Sequence, residues 1–275
     1  MDLPTETAAV HRLCTERLGA ALGPQLAALA RPGFDLTPAN DARPATGRCR
    51  LGGPALLDPG TPWPRCDDLP LVLFAVLDTD ELAPWLGDEL PCRPGLLNFF
   101  YLDTAPSGYD LDDPAICRVV PANPARAVAV TAPQPERGFA AVPLNARPDL
   151  TLPGLISSGS FMSLESLIED FGFTPDPGIE ADRLEADALL MFGDFPEDQY
   201  YPGPLGVDQA FGWTAEEATH RLLPDPQGEY TRLLRISSNL AEWEFPEGGG
   251  LHFLIPTKAL RDGDFTQAVA EPDFP

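Results

Sequence analysis

The chain has 275 residues, 44% of them apolar, and 42 acidic against 18 basic side chains leave a net charge of −24. A surface of that sign repels nucleic acid and anionic lipid, which both need a cationic face, so neither is expected as a partner. No apolar run approaches the roughly 20 residues that cross a bilayer, and a chain of this length buries enough core to fold without staples.

The opening stretch, MDLPTETAAV, lacks the basic and apolar regions of a secretory leader, so a cytoplasmic location is expected. Residues 5–30 place Val10, Leu13, Leu18, Ala21 and Leu22 at helical spacing, which predicts a helix capped by Thr5 and broken at Gly23-Pro24. This segment, 1–30, is expected to pack on the core of a single domain covering 31–275. Residues 31–65 hold too many prolines and glycines for a helix. Within them, LGGPALLDPGTPWPRC pairs a flexible Gly52-Gly53 step with Trp63, an aromatic anchor set between prolines. Trp63 is expected either to cover an edge of the core or to border a Gly-lined groove.

Two apolar runs follow, Leu71 to Leu77 and Leu96 to Leu102, which suit strands buried on both faces. Their connector begins with Asp78, Asp80 and Glu81 and enters a short helical turn through Leu82 and Trp85. Carboxylates so grouped could serve acid–base chemistry or a hard cation, and they equally suit helix capping. Between residues 103 and 154, short β-like pieces punctuated by proline predict edge strands and long loops. Further on, 160–172 predicts a short helix, ALLMFGDF a strand, and Thr214-x-x-Glu217 a capping box that opens another helix.

The organising pair of runs returns near the C-terminus. Leu73–Asp78 aligns with Arg232–Ser237, and Gly95–Phe100 aligns with Gly249–Leu254. Each copy is strand, acidic connector with a tryptophan (Trp85, Trp243), glycine, strand. The second copy is interrupted by Arg235 and His252, which suggests one face nearer solvent. The fold expected is α+β: β-rich, mostly antiparallel or mixed sheets with an internal duplication, halves at about 50–150 and 155–270, and a few short packing helices.

Five cysteines (Cys14, Cys49, Cys66, Cys92, Cys117) are scattered without a C-x-x-C pair, as befits reduced structural thiols. Neither they nor His11, His220 and His252 show ligand spacing, so no metal and no cofactor is expected. The phrases LGGPALLDPGTPWPRC, LVLFAVLDTDELAP, LPCRPGLLNFFYLD and LLRISSNLAEWEFPEGGGLHFLIPTKALRDGDFTQAV together resemble the YwqG-like bacterial family, a domain of unknown function. HRLLPDPQ, from His220, looks like a degraded form of a family loop, with Leu223-Pro224 where the family has a glycine pair. The resemblance implies a soluble α+β fold rich in β structure and carries no reaction.

Function is therefore weighed on the residues. The favoured reading is a non-enzymatic binding module with an acidic surface, of regulatory or toxin-neutralising type, whose partner is a basic protein or a small ligand. Trp63, Asp78, Glu81, His220 and Trp243 are the candidate contact residues, with Tyr200, Tyr201 and Trp213 as further exposed-looking aromatics. The alternative is a hydrolase that uses carboxylates with His220 or His252; a G-x-S-x-G elbow is absent from the sequence.

Overall fold

Apolar runs too short for a buried helix find their hydrogen-bond partners in each other. The computed structural model describes residues 2–102, 114–134, 138–152, 172–174, 208–213, 229–237 and 250–273. The helical calls on 160–172 and 214–223 and the strand call on ALLMFGDF lie outside this set, apart from Gly172. In chain order the described strands are β1 (Arg31–Pro38), β2 (Arg50–Leu51), β3 (Ala55–Leu57), β4 (Arg65–Cys66), β5 (Leu69–Pro70), β6 (Val72–Asp78) and β7 (Leu96–Tyr101). They continue as β8 (Cys117–Ala122), β9 (Val128–Val130), β10 (Val142–Thr151), β11 (Gln209–Phe211), β12 (Tyr230–Ser237), β13 (Gly250–Pro256) and β14 (Val269–Asp273). The described α-helices are α1 (Leu3–Ala27), α2 (Thr79–Leu86) and α3 (Thr257–Asp262).

Ten of the described strands form one antiparallel sheet in the order β14-β13-β12-β11-β1-β10-β2-β6-β7-β8. The α+β, β-rich expectation holds. The β6–β7 and β12–β13 ladders match pair for pair. Val76 faces Asn98 where Arg235 faces His252, and Leu77 faces Leu97 where Ile236 faces Leu251. Each ladder slips at the same step, between Leu73 and Ala75 in one and between Arg232 and Leu234 in the other. These are the residues that the sequence alignment sets side by side. Phe99 and Phe253, at matching positions, meet edge to face with ring centroids 5.1 Å apart.

Three local expectations change. The first helix is capped by Asp2, which accepts from the Thr5 amide and hydroxyl, and its kink falls at Gly19 rather than Gly23-Pro24. Gly19 alone there takes φ +85, and Pro24 stays inside the helical span. Residues 31–38, read from the sequence only as unsuited to a helix, form a strand at the centre of the sheet. So do residues 142–151, where long loops and edge strands were expected. Their prolines are tolerated because each is paired on one side only, Pro32, Pro38 and Pro148 in the β1–β10 ladder and Pro143 against β2, so none has to donate to a second neighbour. The second ladder is as buried as the first, so Arg235 and His252 face the interior and not solvent.

Candidate functional site

The end of β6 builds the first candidate. Asp78 closes the strand and opens α2, which puts Asp80 and Glu81 in the helix's first turn, where carboxylates oppose the positive end of the helix dipole. The backbone link into β2 passes directly over them. A Cβ on Gly47 would stand 2.6 Å from Glu81 Cγ and 2.8 Å from Asp78 Oδ2, and the glycine's φ of +51 permits the approach. Asp78 is buried; its Oδ2 accepts from the Arg48 amide at 3.2 Å, and its own amide donates to Cys49 Sγ at 3.3 Å.

Beside this corner lies an open cleft of about 390 Å³ lined by Asp58, Asp80, Arg93, Gly95, Asn123 and Pro124, among others. Its floor is rigid. The Gly95 carbonyl accepts from both the Thr79 amide and hydroxyl, at 2.8 and 2.7 Å. Asp58 is held by the Asn123 amide and by Arg126, at 3.1 and 2.7 Å, and Arg48 donates to the Pro124 carbonyl at 2.9 Å. Asp80 and Arg93 sit exposed at the rim.

Trp63 does not join that corner. Its indole donates to the Leu71 carbonyl at 2.7 Å and its ring meets Phe100 edge to face at 5.1 Å, at the opposite end of the β6–β7 ladder from Asp78. It covers an edge of the core, as one of the two sequence readings had it. Trp213, read as exposed, is half-buried: it donates to the Leu29 carbonyl, and Arg31 stacks over it at 3.7 Å. His220, Trp243, Tyr200 and Tyr201 lie outside the described residues.

A second constellation runs across the other half of the sheet. Arg147, Asp35, Gln209, Arg235, His252 and Glu271 are successive cross-strand neighbours, so their side chains share one face. Gln209, Arg235, His252 and Glu271 are buried. Arg235 Nε donates to His252 Nε2 at 3.1 Å. A guanidinium nitrogen always carries its proton, so His252 is fixed as the tautomer protonated on Nδ1, and Nε2 is occupied as an acceptor. Nearby, the Ser237 amide and hydroxyl both donate to Asp208, whose carboxyl burial pushes up to about 6. Arg232 is fully buried, donates twice to the Phe211 carbonyl, and is pushed down to about 9 by burial.

The first half handles the matching face differently. There Asn98, the counterpart of His252, accepts from the Leu56 amide and donates to the Leu56 and Val120 carbonyls. It thereby pins the β3–β9 ribbon to the sheet. Sequence reasoning missed Asp35, Asp208, Arg232 and Glu271, because nothing local marks an ionisable residue whose partners lie on distant strands.

All five cysteines are free, four of them buried, and burial pushes the thiols of Cys14, Cys49 and Cys117 up to about 12. A thiolate at any of these three is disfavoured near neutral pH. Among the described residues no three His, Cys, Asp or Glu side chains gather closely enough to hold a metal ion, and no described helix is long and apolar enough to cross a membrane. Residues 49–273 match the model of a family described as Domain of unknown function (DUF1963). None of the curated proteins matches the chain.

Proposed function

The chain belongs to the DUF1963 family, and on that footing we propose that it is a non-enzymatic binding module, YwqG-like, bacterial and cytoplasmic, built from two related β-rich halves. Its partner is a protein that presents a basic segment, and the binding role is of regulatory or toxin-neutralising type. The observation that carries this reading is the cleft lined by Asp58 and Asp80, with Arg93 at its rim and Asp58 paired to Arg126, in a chain of net charge −24. A cleft of about 390 Å³ has room for one or two side chains of a docked segment, not for a whole folded partner. The overall charge steers a cationic partner toward it.

The hydrolase alternative draws less support. His252, its describable histidine, has Nε2 engaged by a guanidinium, a poor arrangement for a general base. The test is titration of the protein with an arginine- and lysine-rich peptide. Binding is expected to weaken from about 50 mM to about 500 mM salt and to fall severalfold in Asp58→Asn/Asp80→Asn. Affinity indifferent to both the salt and the substitutions removes the reading.

A further inference from the structure

The sheet order is the same read from either end if β1 is exchanged for β10, β11 for β2, β12 for β6, β13 for β7 and β14 for β8. Details that no strand order dictates follow the same exchange. The exchange centres on the Thr37–Asn145 pair: Phe34 faces Ala210 and Asp35 faces Gln209 where Val142 faces Leu51 and Pro143 faces Arg50, so Leu36 plays the part of Leu144. The Leu144 amide donates to the Cys49 carbonyl at 2.9 Å, and the Leu36 amide to the Asp208 carbonyl at 2.8 Å. Cys49 Sγ accepts the Asp78 amide where Asp208 Oδ1 accepts the Ser237 amide. After these residues the chain makes the same left-handed step, Gly52-Gly53 at φ +52 and +74 and Phe211-Gly212 at φ +60 and +79. A phenylalanine in that conformation is strained, and glycine is its counterpart. Pro121 on β8 faces Leu97 where Pro272 on β14 faces Leu251.

In chain order the matching sets are β1, β2, β6, β7, β8 and then β10, β11, β12, β13, β14. Each set's first strand therefore lies across the centre, beside the other set. The link 39–49 carries the chain over the end of β10. Ala39 and Thr46 donate to the Pro143 and Leu144 carbonyls, and Ala146 and Asn145 donate back to Thr46 Oγ1 and the Pro44 carbonyl.

We infer that the chain is two copies of one five-strand unit, residues 31–122 and 142–273, joined by exchange of their first strands, so that each unit is shaped to be completed by a second copy of itself. The inference rests on the duplication proposed above and adds the exchange, which moves the unit limits away from about 50–150 and 155–270. Random swapping of residues would not preserve the Cys49–Asp78 and Asp208–Ser237 contacts at equivalent places.

Two measurements on the full-length chain separate the duplication from the exchange. Cys49→Asp sets a second carboxylate against Asp78 and is expected to lower the melting temperature by roughly 5 °C or more. Cys49→Asp/Asp78→Ser rebuilds the Asp208–Ser237 pair in the first unit and should recover more than half of that loss. A double variant no better than the two single losses combined overturns the equivalence of the units. If Cys49→Asp fails to fold, Asp208→Cys with and without Ser237→Asp makes the same comparison in the second unit. For the exchange, a protease site placed in the 131–141 connector is cut in the folded protein. Cleaved pieces that co-elute at the position of the uncut chain support it, and pieces that part as separately folded species overturn it.

Discussion

Asp208 is a buried acid whose carboxyl sits above its ordinary value, about 6 against 3.8, chiefly because burial penalises the charged form. Its folded chain therefore holds the proton more tightly than the unfolded one. Between about pH 4 and pH 6 folding takes up a proton at this residue, and its contribution to stability falls as pH rises. Below that window both states are protonated and the penalty is absent; above it the penalty reaches about 3 kcal/mol. Asp208→Asn keeps a carbonyl for the Ser237 amide and removes the charge. The variant should melt higher than the wild type at about pH 7.5 and match it near pH 4. An equal difference at both pH values, followed by calorimetry, contradicts the assignment. At this scale the sequence was only partly legible. Asp78 and Glu81 announced their corner because strand end, cap and carboxylates are consecutive. Asp208 and Glu271 gave no sign, since their environment is made by Ser237 and His252 on strands far away in the chain.

The elements show where local pattern decides and where pairing does. β6 and β7 were readable because their residues are apolar nearly throughout, as a strand covered on both faces demands, and β12 and β13 through their likeness to that pair. β1 and β10 were not. Each carries prolines that argue for loop, and each is a strand because it has a neighbour on both sides. Glycine positions discriminate the same two kinds of cause. Gly95, at φ +79, ends the α2–β7 connector; a Cβ there would lie 2.4 Å from Pro124 Cδ and 2.7 Å from the Ala122 carbonyl oxygen. Gly60, at φ +87, has nothing within 4 Å. Gly60→Ala should cost about 1 kcal/mol for backbone strain alone, and Gly95→Ala about 2–4 kcal/mol because the wall of the cleft must also move. Chemical denaturation of the two variants checks the order, and equal losses would refute the close contact.

At the scale of the whole molecule, ten of the described strands form one sheet, and the proposed exchange places β1 and β10 at its centre. The internal likeness was visible in the sequence as two short apolar segments around glycine. The exchange was not, because it is a property of which strands meet, and β1 shares too little local pattern with β10 to be matched by eye. The two matching ladders differ in chemistry. Val76, Asn98 and Val120 occupy the row that Arg235, His252 and Glu271 fill on the other side. Buried ionisable groups in such a row are costly unless partnered, and the Arg235–His252 bond is one such partnership. In the proposed exchange, β1 and β10 lock the two units together. Native-state hydrogen exchange on the intact protein reads this directly. The amides of Leu36 and Leu144, which donate to the Asp208 and Cys49 carbonyls, should be among the slowest in the molecule and open only with the entire sheet. Exchange in two independent groups, with β1 opening alongside β2 to β8 while β10 opens with β11 to β14, would contradict it.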